Sequence, residues 1–140
     1  MRVPYGGGPT LASAETEPLP AVLIVDDQVD VARVVQILAS TALNCETLVV
    51  HAGEDALALL REKAVDLVIL DHHMPGMSGL QVLQRLRDDA VPPDAPCVVF
   101  FSADRLAGAE ALRLGAVAVL EKPAGAEQLI TVMRAHLGCA

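Results

Sequence analysis

At 140 residues, 53% of them apolar, the chain is long enough for one domain with a real core and too short for two comfortable ones. A formal charge of -8 and an aromatic set of only Tyr5, Phe100 and Phe101 argue against nucleic-acid binding by this chain alone. No apolar stretch is long enough to cross a bilayer and no secretory signal pattern opens the chain, so no membrane insertion and a cytoplasmic location are expected.

Residues 1–20 carry four prolines and three consecutive glycines without apolar periodicity, and are expected to be a flexible leader. The remainder, 21–138, alternates between two patterns. A strand at Val22–Val25 precedes a helix at Gln28–Leu43, with Val31, Val34, Val35 and Leu38 spaced for one face. A strand at Thr47–Val50 and a helix at Glu54–Lys63 follow. Next come a strand at Asp66–Leu70 and a helix at Gly79–Arg87. A proline-rich loop, Val91–Pro96, leads to a strand at Cys97–Phe101 and a helix within Asp104–Leu114, ended by Gly115. The last pair is a strand at Ala116–Leu120 and a helix at Ala126–Leu137.

Five strand–helix pairs imply a doubly wound (βα)5 α/β fold of the flavodoxin type: a parallel five-stranded sheet between two helical layers. Continuous apolar strands fit a sheet buried on both faces. Sheets of this size commonly have strand order 2-1-3-4-5 and bind ligands at the switch between strands 1 and 3. The three cysteines, Cys45, Cys97 and Cys139, have no CxxC spacing, which argues against a disulfide framework or a zinc site and leaves Cys97 as a small buried hydrophobe.

The strand ends carry the chemistry. Asp26 and Asp27 follow the first strand, Asp71 the third and Ser102 the fourth, and Lys122 lies two residues after the fifth. Alone, each aspartate or the serine is explained as a helix cap or turn former, and Lys122 as a surface residue. Together, four strand ends deliver three carboxylates, a hydroxyl and an ammonium to one edge of one sheet. Clustered carboxylates call for a cation, and Mg2+ prefers such hard oxygen ligands. Asp71 can then attack phosphorus as a nucleophile, while Lys122 neutralises a phosphoryl oxygen.

The segments Val22–Asp27, Asp66–Gly79 (DLVILDHHMPGMSG), Phe101-Ser102-Ala103 and Gly115–Pro123 (GAVAVLEKP) resemble the receiver domain of two-component response regulators, over about residues 21–138. The resemblance implies that Asp71 accepts phosphate from a phosphohistidine on a histidine kinase or histidine phosphotransfer protein. It implies a Mg2+ site of Asp27, Asp71 and the His73 backbone carbonyl, with Asp26 acting through water. Ser102 and Lys122 would contact the phosphoryl group and report its presence, and the peptide before Pro123 is often cis in this family. His73 and Asp104 flank the path of attacking water and are expected to tune the lifetime of the acyl phosphate.

Two departures concern the read-out. Where the family commonly has a Tyr or Phe that turns inward on phosphorylation, this chain has Val119. The stretch from Ser102 to Gly115 is short, so a short or displaced fourth helix is expected. The string Asp71-His72-His73 also matches the signature of the DHH phosphoesterases, but that family's further metal-binding motifs are absent. His51 and His136 have no partner visible in the sequence and are expected at the surface.

The expected function is a phosphorylation-dependent switch with at most weak autophosphatase activity, changing its affinity for a downstream protein and open to homodimer formation. No output domain follows the last helix in this sequence. Two alternatives are a phosphotransfer relay or phosphate sink with little conformational output, and a Mg2+-dependent aspartyl phosphatase. The latter usually has a second Asp two residues after the nucleophile, where this chain has His73.

Overall fold

The computed structural model describes residues 18–89 and 96–137. The expected leader falls mostly outside these residues, as do most of the proline-rich loop and the domain's last residue, 138. The elements in chain order are β1 (Ala21–Val25), α1 (Val29–Ala42), β2 (Glu46–Val50), α2 (Gly53–Glu62), β3 (Leu67–Asp71), α3 (Gly79–Asp88), β4 (Cys97–Ser102), α4 (Arg105–Arg113), β5 (Ala118–Glu121) and α5 (Ala126–His136). The sheet is parallel, in the order β2-β1-β3-β4-β5, as the alternation of patterns predicts.

Every residue of β1 and β3 is buried, which is why these strands read as unbroken apolar runs. Leu23, Val25, Val68, Leu70, Val98 and Phe100 face one layer, packing with Ala56 and Leu57 of α2, Val82 and Leu83 of α3, and Ala107 and Ala111 of α4. Val22, Ile24, Leu67, Ile69, Val99 and Phe101 face the other, with Ala32, Val35 and Ala39 of α1 and Leu129 and Met133 of α5. Full burial of each such valine, leucine or isoleucine contributes roughly 1.5–3 kcal/mol before chain entropy is counted. This two-sided packing makes the sheet a rigid floor for the residues at its carboxyl edge.

Several expectations shift. The buried stripe of α1 is Ala32, Val35 and Ala39, with Val34 more than half exposed, because small alanines let the helix sit close to the sheet. β5 starts two residues late: Ala116 is held by a hydrogen bond to the Ala111 carbonyl, and Val117 N–H bonds Val98, before the ladder of β5 begins. α4 has nine residues, the shortest of the five helices, and packs against both β4 and β5. Cys97 is disulfide-bonded rather than a simple buried hydrophobe, whereas Cys45 is free. No helix among the described residues is long and apolar enough to cross a membrane.

Candidate functional site

The register aligns the strand ends. Val25 pairs with Leu70, Asp71 with Phe101, and Ser102 with Glu121, so the chain leaves β1, β3, β4 and β5 at nearly one level. Asp26, Asp27 and Asp71 meet there, each offering a carboxylate oxygen within 4.8 Å of the other two. Asp26 and Asp71 are buried and Asp27 is half-buried.

Backbone bonds hold this edge. Asp26 N–H donates to the Val50 carbonyl at 3.2 Å, fixing the turn out of β1 against β2. The Asp26 side chain accepts from Gln28 N–H at 2.9 Å at the start of α1. Burial pushes the Asp26 carboxyl above its ordinary range; Asp71 and Asp27 push the same way, and the Gln28 bond and Lys122 oppose them. His51 sits just past β2, and its Nδ1 lies 3.0 Å from the Asp26 carbonyl. It is exposed, as expected, but has a partner that the sequence alone did not reveal. The pairing of Val25 with Val50 is the signal, since it places the residue after each strand beside the other.

On the other side of Asp71, Lys122 Nζ approaches Oδ1 to 2.5 Å and lies 4.9 Å from the centre of the Phe101 ring. Lys122 N–H bonds the Ser102 carbonyl at 3.1 Å, and the Lys122–Pro123 peptide is cis. Asp71 therefore sits between an ammonium and two carboxylates. Hard oxygen donors around a surplus of negative charge suit Mg2+. Three carboxylate oxygens converging within 4.8 Å of one another, with Asp26 held above its ordinary range mainly by burial and further by Asp71 and Asp27, are the observation of fit.

Ser102 is buried, and its Oγ accepts from Asp104 N–H at 2.9 Å. That hydroxyl keeps its own hydrogen to donate. Asp104 is the N-cap of α4, its Oδ1 accepting from the N–H groups of Leu106 and Ala107 at 3.0 and 3.2 Å. So Asp104 has a structural task, yet its carboxylate also lies within 4.8 Å of nitrogens of His72 and His73. His73 is exposed, in the loop after β3. Burial, then neighbouring His73, lowers the His72 imidazole below its ordinary pKa, against the opposing charges of Asp104 and Asp71.

Gly79 opens α3 directly behind the site. Its N–H donates to the His72 carbonyl at 2.9 Å, and a Cβ added there would stand 2.5 Å from the Asp71 carbonyl oxygen. Ser78 and Gln81 close a reciprocal capping box that fixes this helix start. Val119, on β5, packs partly into the layer of α2, α3 and α4, with a methyl 3.0 Å from where a Cβ on Gly108 would lie.

Comparison with known proteins points the same way. The family model described as response regulator receiver domain matches residues 22–134. The chain is 39% identical over 82 residues to the positive alginate biosynthesis regulatory protein of Pseudomonas aeruginosa, covering 59% of this chain and 32% of that protein. It is 33% identical over 117 residues to an uncharacterized transcriptional regulatory protein of Bacillus subtilis, covering 83% of this chain and 50% of that one. The chain thus spans at most half of these two curated relatives. Among solved structures, the receiver domain of NtrX from Brucella abortus superposes with a TM-score of 0.74 at 32% identity, over 83% of this chain and 97% of that one. The response regulatory domain of protein mrkE from Klebsiella pneumoniae gives a TM-score of 0.74 at 26% identity, over 83% and 93%.

Proposed function

The chain belongs to the response regulator receiver family of two-component systems, and from that premise we propose that Asp71 accepts a phosphoryl group from a phosphohistidine donor in a Mg2+-dependent reaction. The observation that carries this reading is the setting of Asp71: buried, paired with Lys122 at 2.5 Å, and beside the carboxylates of Asp26 and Asp27. In the transfer, an Asp71 carboxylate oxygen bonds to phosphorus while the P–N bond of the donor breaks and its electron pair returns to the imidazole. Asp26, Asp27, Asp71 and the His73 carbonyl would hold Mg2+, which when bound screens the carboxylates from the incoming anion. Lys122 then exchanges its Asp71 contact for a phosphoryl oxygen, and the Ser102 hydroxyl donates its free hydrogen to another.

The product is a mixed anhydride that water hydrolyses. His73 and Asp104 are exposed in the first turns after β3 and β4, close in sequence to Asp71 and Ser102, and we assign them the tuning of that rate. Asp104→Ala also removes the α4 cap, at a cost of about 1 kcal/mol. Asp104→Asn keeps a capping oxygen and isolates the charge. Unchanged dephosphorylation in both His73→Asn and Asp104→Asn would refute the assignment.

Receiver domains are regulatory switches that act with histidine kinases and downstream effectors. A relay or phosphate sink is the second reading, and Val119 favours it: a valine packed against Gly108 has no ring to reorient. The two readings differ in output. A switch changes its affinity for a partner on phosphorylation, while equal affinity in both states shifts nothing. Intact mass after incubation with acetyl phosphate and Mg2+ tests the acceptor chemistry. A single added phosphoryl group that Asp71→Asn lacks supports it; a wild-type mass that does not change overturns it.

A further inference from the structure

We propose that His72, His73 and Asp104 form a second cation site, selective for a borderline transition ion of the Zn2+ class, on the rim of the acidic crevice. Consecutive side chains of a regular strand point to opposite faces. Here β3 ends at Asp71, and the turn that follows sets the two imidazoles side by side, with ring centres 4.7 Å apart and planes at 50°. The Phe100 ring, 5.3 Å from that of His72, supports the pair from the core side. Asp104 approaches from β4, and one nitrogen of each histidine and a carboxylate oxygen of Asp104 all fall within 4.8 Å of one another.

Zn2+ holds nitrogen and oxygen ligands at about 2.0–2.2 Å, so the ligand atoms of a tetrahedral set lie roughly 3.4 Å apart. The group must contract slightly to close on an ion. Asp104 is pinned by its helix cap, and the exposed His73 ring is the member free to move. His72 supplies an independent sign. Among the described residues, its Nδ1 is the one buried side-chain nitrogen or oxygen without a hydrogen-bond partner. Leaving such an atom unsatisfied costs about 1–3 kcal/mol, and in the Nε2-protonated tautomer it carries a lone pair that a bound cation would satisfy.

Donor chemistry separates this group from the acidic trio next to it. Carboxylate oxygens suit Mg2+, whereas imidazole nitrogens suit Zn2+, Cu2+ or Ni2+. One strand end, Asp71-His72-His73, thus contributes to two donor sets of different softness. The metal signature legible in that string belongs to this local arrangement rather than to a phosphoesterase.

The test is calorimetric titration of Zn2+ into the full chain in saturating Mg2+, with Co2+ absorption as a second probe of nitrogen ligation. Wild type is expected to bind one equivalent. His73→Ala, at an exposed position, should weaken binding at least roughly tenfold, as loss of a ligand requires. Asp104→Asn should weaken it while preserving the cap, and Asp27→Asn should leave it unchanged. Absence of Zn2+ binding by wild type in Mg2+, or binding by His73→Ala as tight as wild type, would overturn the proposal.

Discussion

The acidic trio and the histidine-rich rim meet at the end of β3, where Asp71 is followed directly by His72 and His73, yet they are built on opposite terms. Asp26 and Asp71 are buried, braced by backbone bonds and offset by Lys122, so their positions are set by the folded sheet. His73 and Asp104 are exposed: Asp104 is held by its cap of α4 and by its N–H bond to Ser102 Oγ, and His73 lies against the tilted His72 ring. The difference teaches how a fixed fold acquires individual behaviour. The core-facing set is dictated by strand register, while the rim set depends on which side chains occupy the first turns after the strands.

The sharpest way to separate the two regions is Asp71→Asn. It should abolish phosphorylation and weaken Mg2+ binding, yet leave Zn2+ affinity within about twofold, because Asp71 donates nothing to the rim set. Comparable losses of both ions in paired titrations would show the two sets to be one site.

Lys122→Ala comes next. It leaves the buried Asp71 beside two like charges, and a fully buried broken pair costs about 3–5 kcal/mol. Lys122 reaches solvent, so about 2 kcal/mol is expected in Mg2+-free urea unfolding, with Mg2+ restoring part of it. Equal stabilisation of wild type and variant by Mg2+ would contradict the charge balance assigned to Asp71.

Gly79→Ala attacks the strand end that both regions share. Its Cβ, 2.5 Å from the Asp71 carbonyl oxygen, must push β3 and α3 apart. A loss of about 1–3 kcal/mol is expected, with slower phosphorylation and weaker Zn2+ binding together. An effect on stability alone would mean that the site tolerates the shift.

A pH series sharpens the trio's side. The Asp26 carboxyl, raised mainly by burial, must lose its proton to serve a cation. Mg2+ affinity should therefore fall with decreasing pH sooner than a carboxylate near 3.9 would dictate. Without Mg2+, the folded state holds this proton more tightly than the unfolded chain does. The Asp26 contribution to stability then declines as pH rises from the unfolded to the folded value. Mg2+ titrations and Mg2+-free unfolding curves across acidic pH would check both signs. The smallest effect is expected of Val119→Ala: a loss of about 1 kcal/mol or less and an unchanged phosphorylation rate, because this half-buried side chain lies beside Gly108 of α4 in the core layer of α2, α3 and α4.

What the sequence made legible follows from the same division. Strands buried on both faces announce themselves as apolar runs, and the polar residues that end them had to meet once the order β2-β1-β3-β4-β5 was inferred. Asp26, Asp27, Asp71, Ser102 and Lys122 all came from that reading. The direct Lys122–Asp71 pair did not, since a strand end gives a residue's level but not its reach. The bond from His51 to the Asp26 carbonyl needed the exact register of two strands. Asp104 was read for its chemistry, while its cap of α4 needed the helix start to be known. The disulfide at Cys97 was not legible either, since the cysteine spacing carries no CxxC signal.

The central claim is that Asp71 forms the acyl phosphate. Borohydride reduction after phosphorylation converts an aspartyl phosphate into homoserine, which tandem mass spectrometry can locate. Homoserine at position 71, dependent on Mg2+ and absent without the phosphodonor, is the predicted result. Homoserine at Asp26 or Asp27 instead, or none in a protein that carries phosphate, would contradict it.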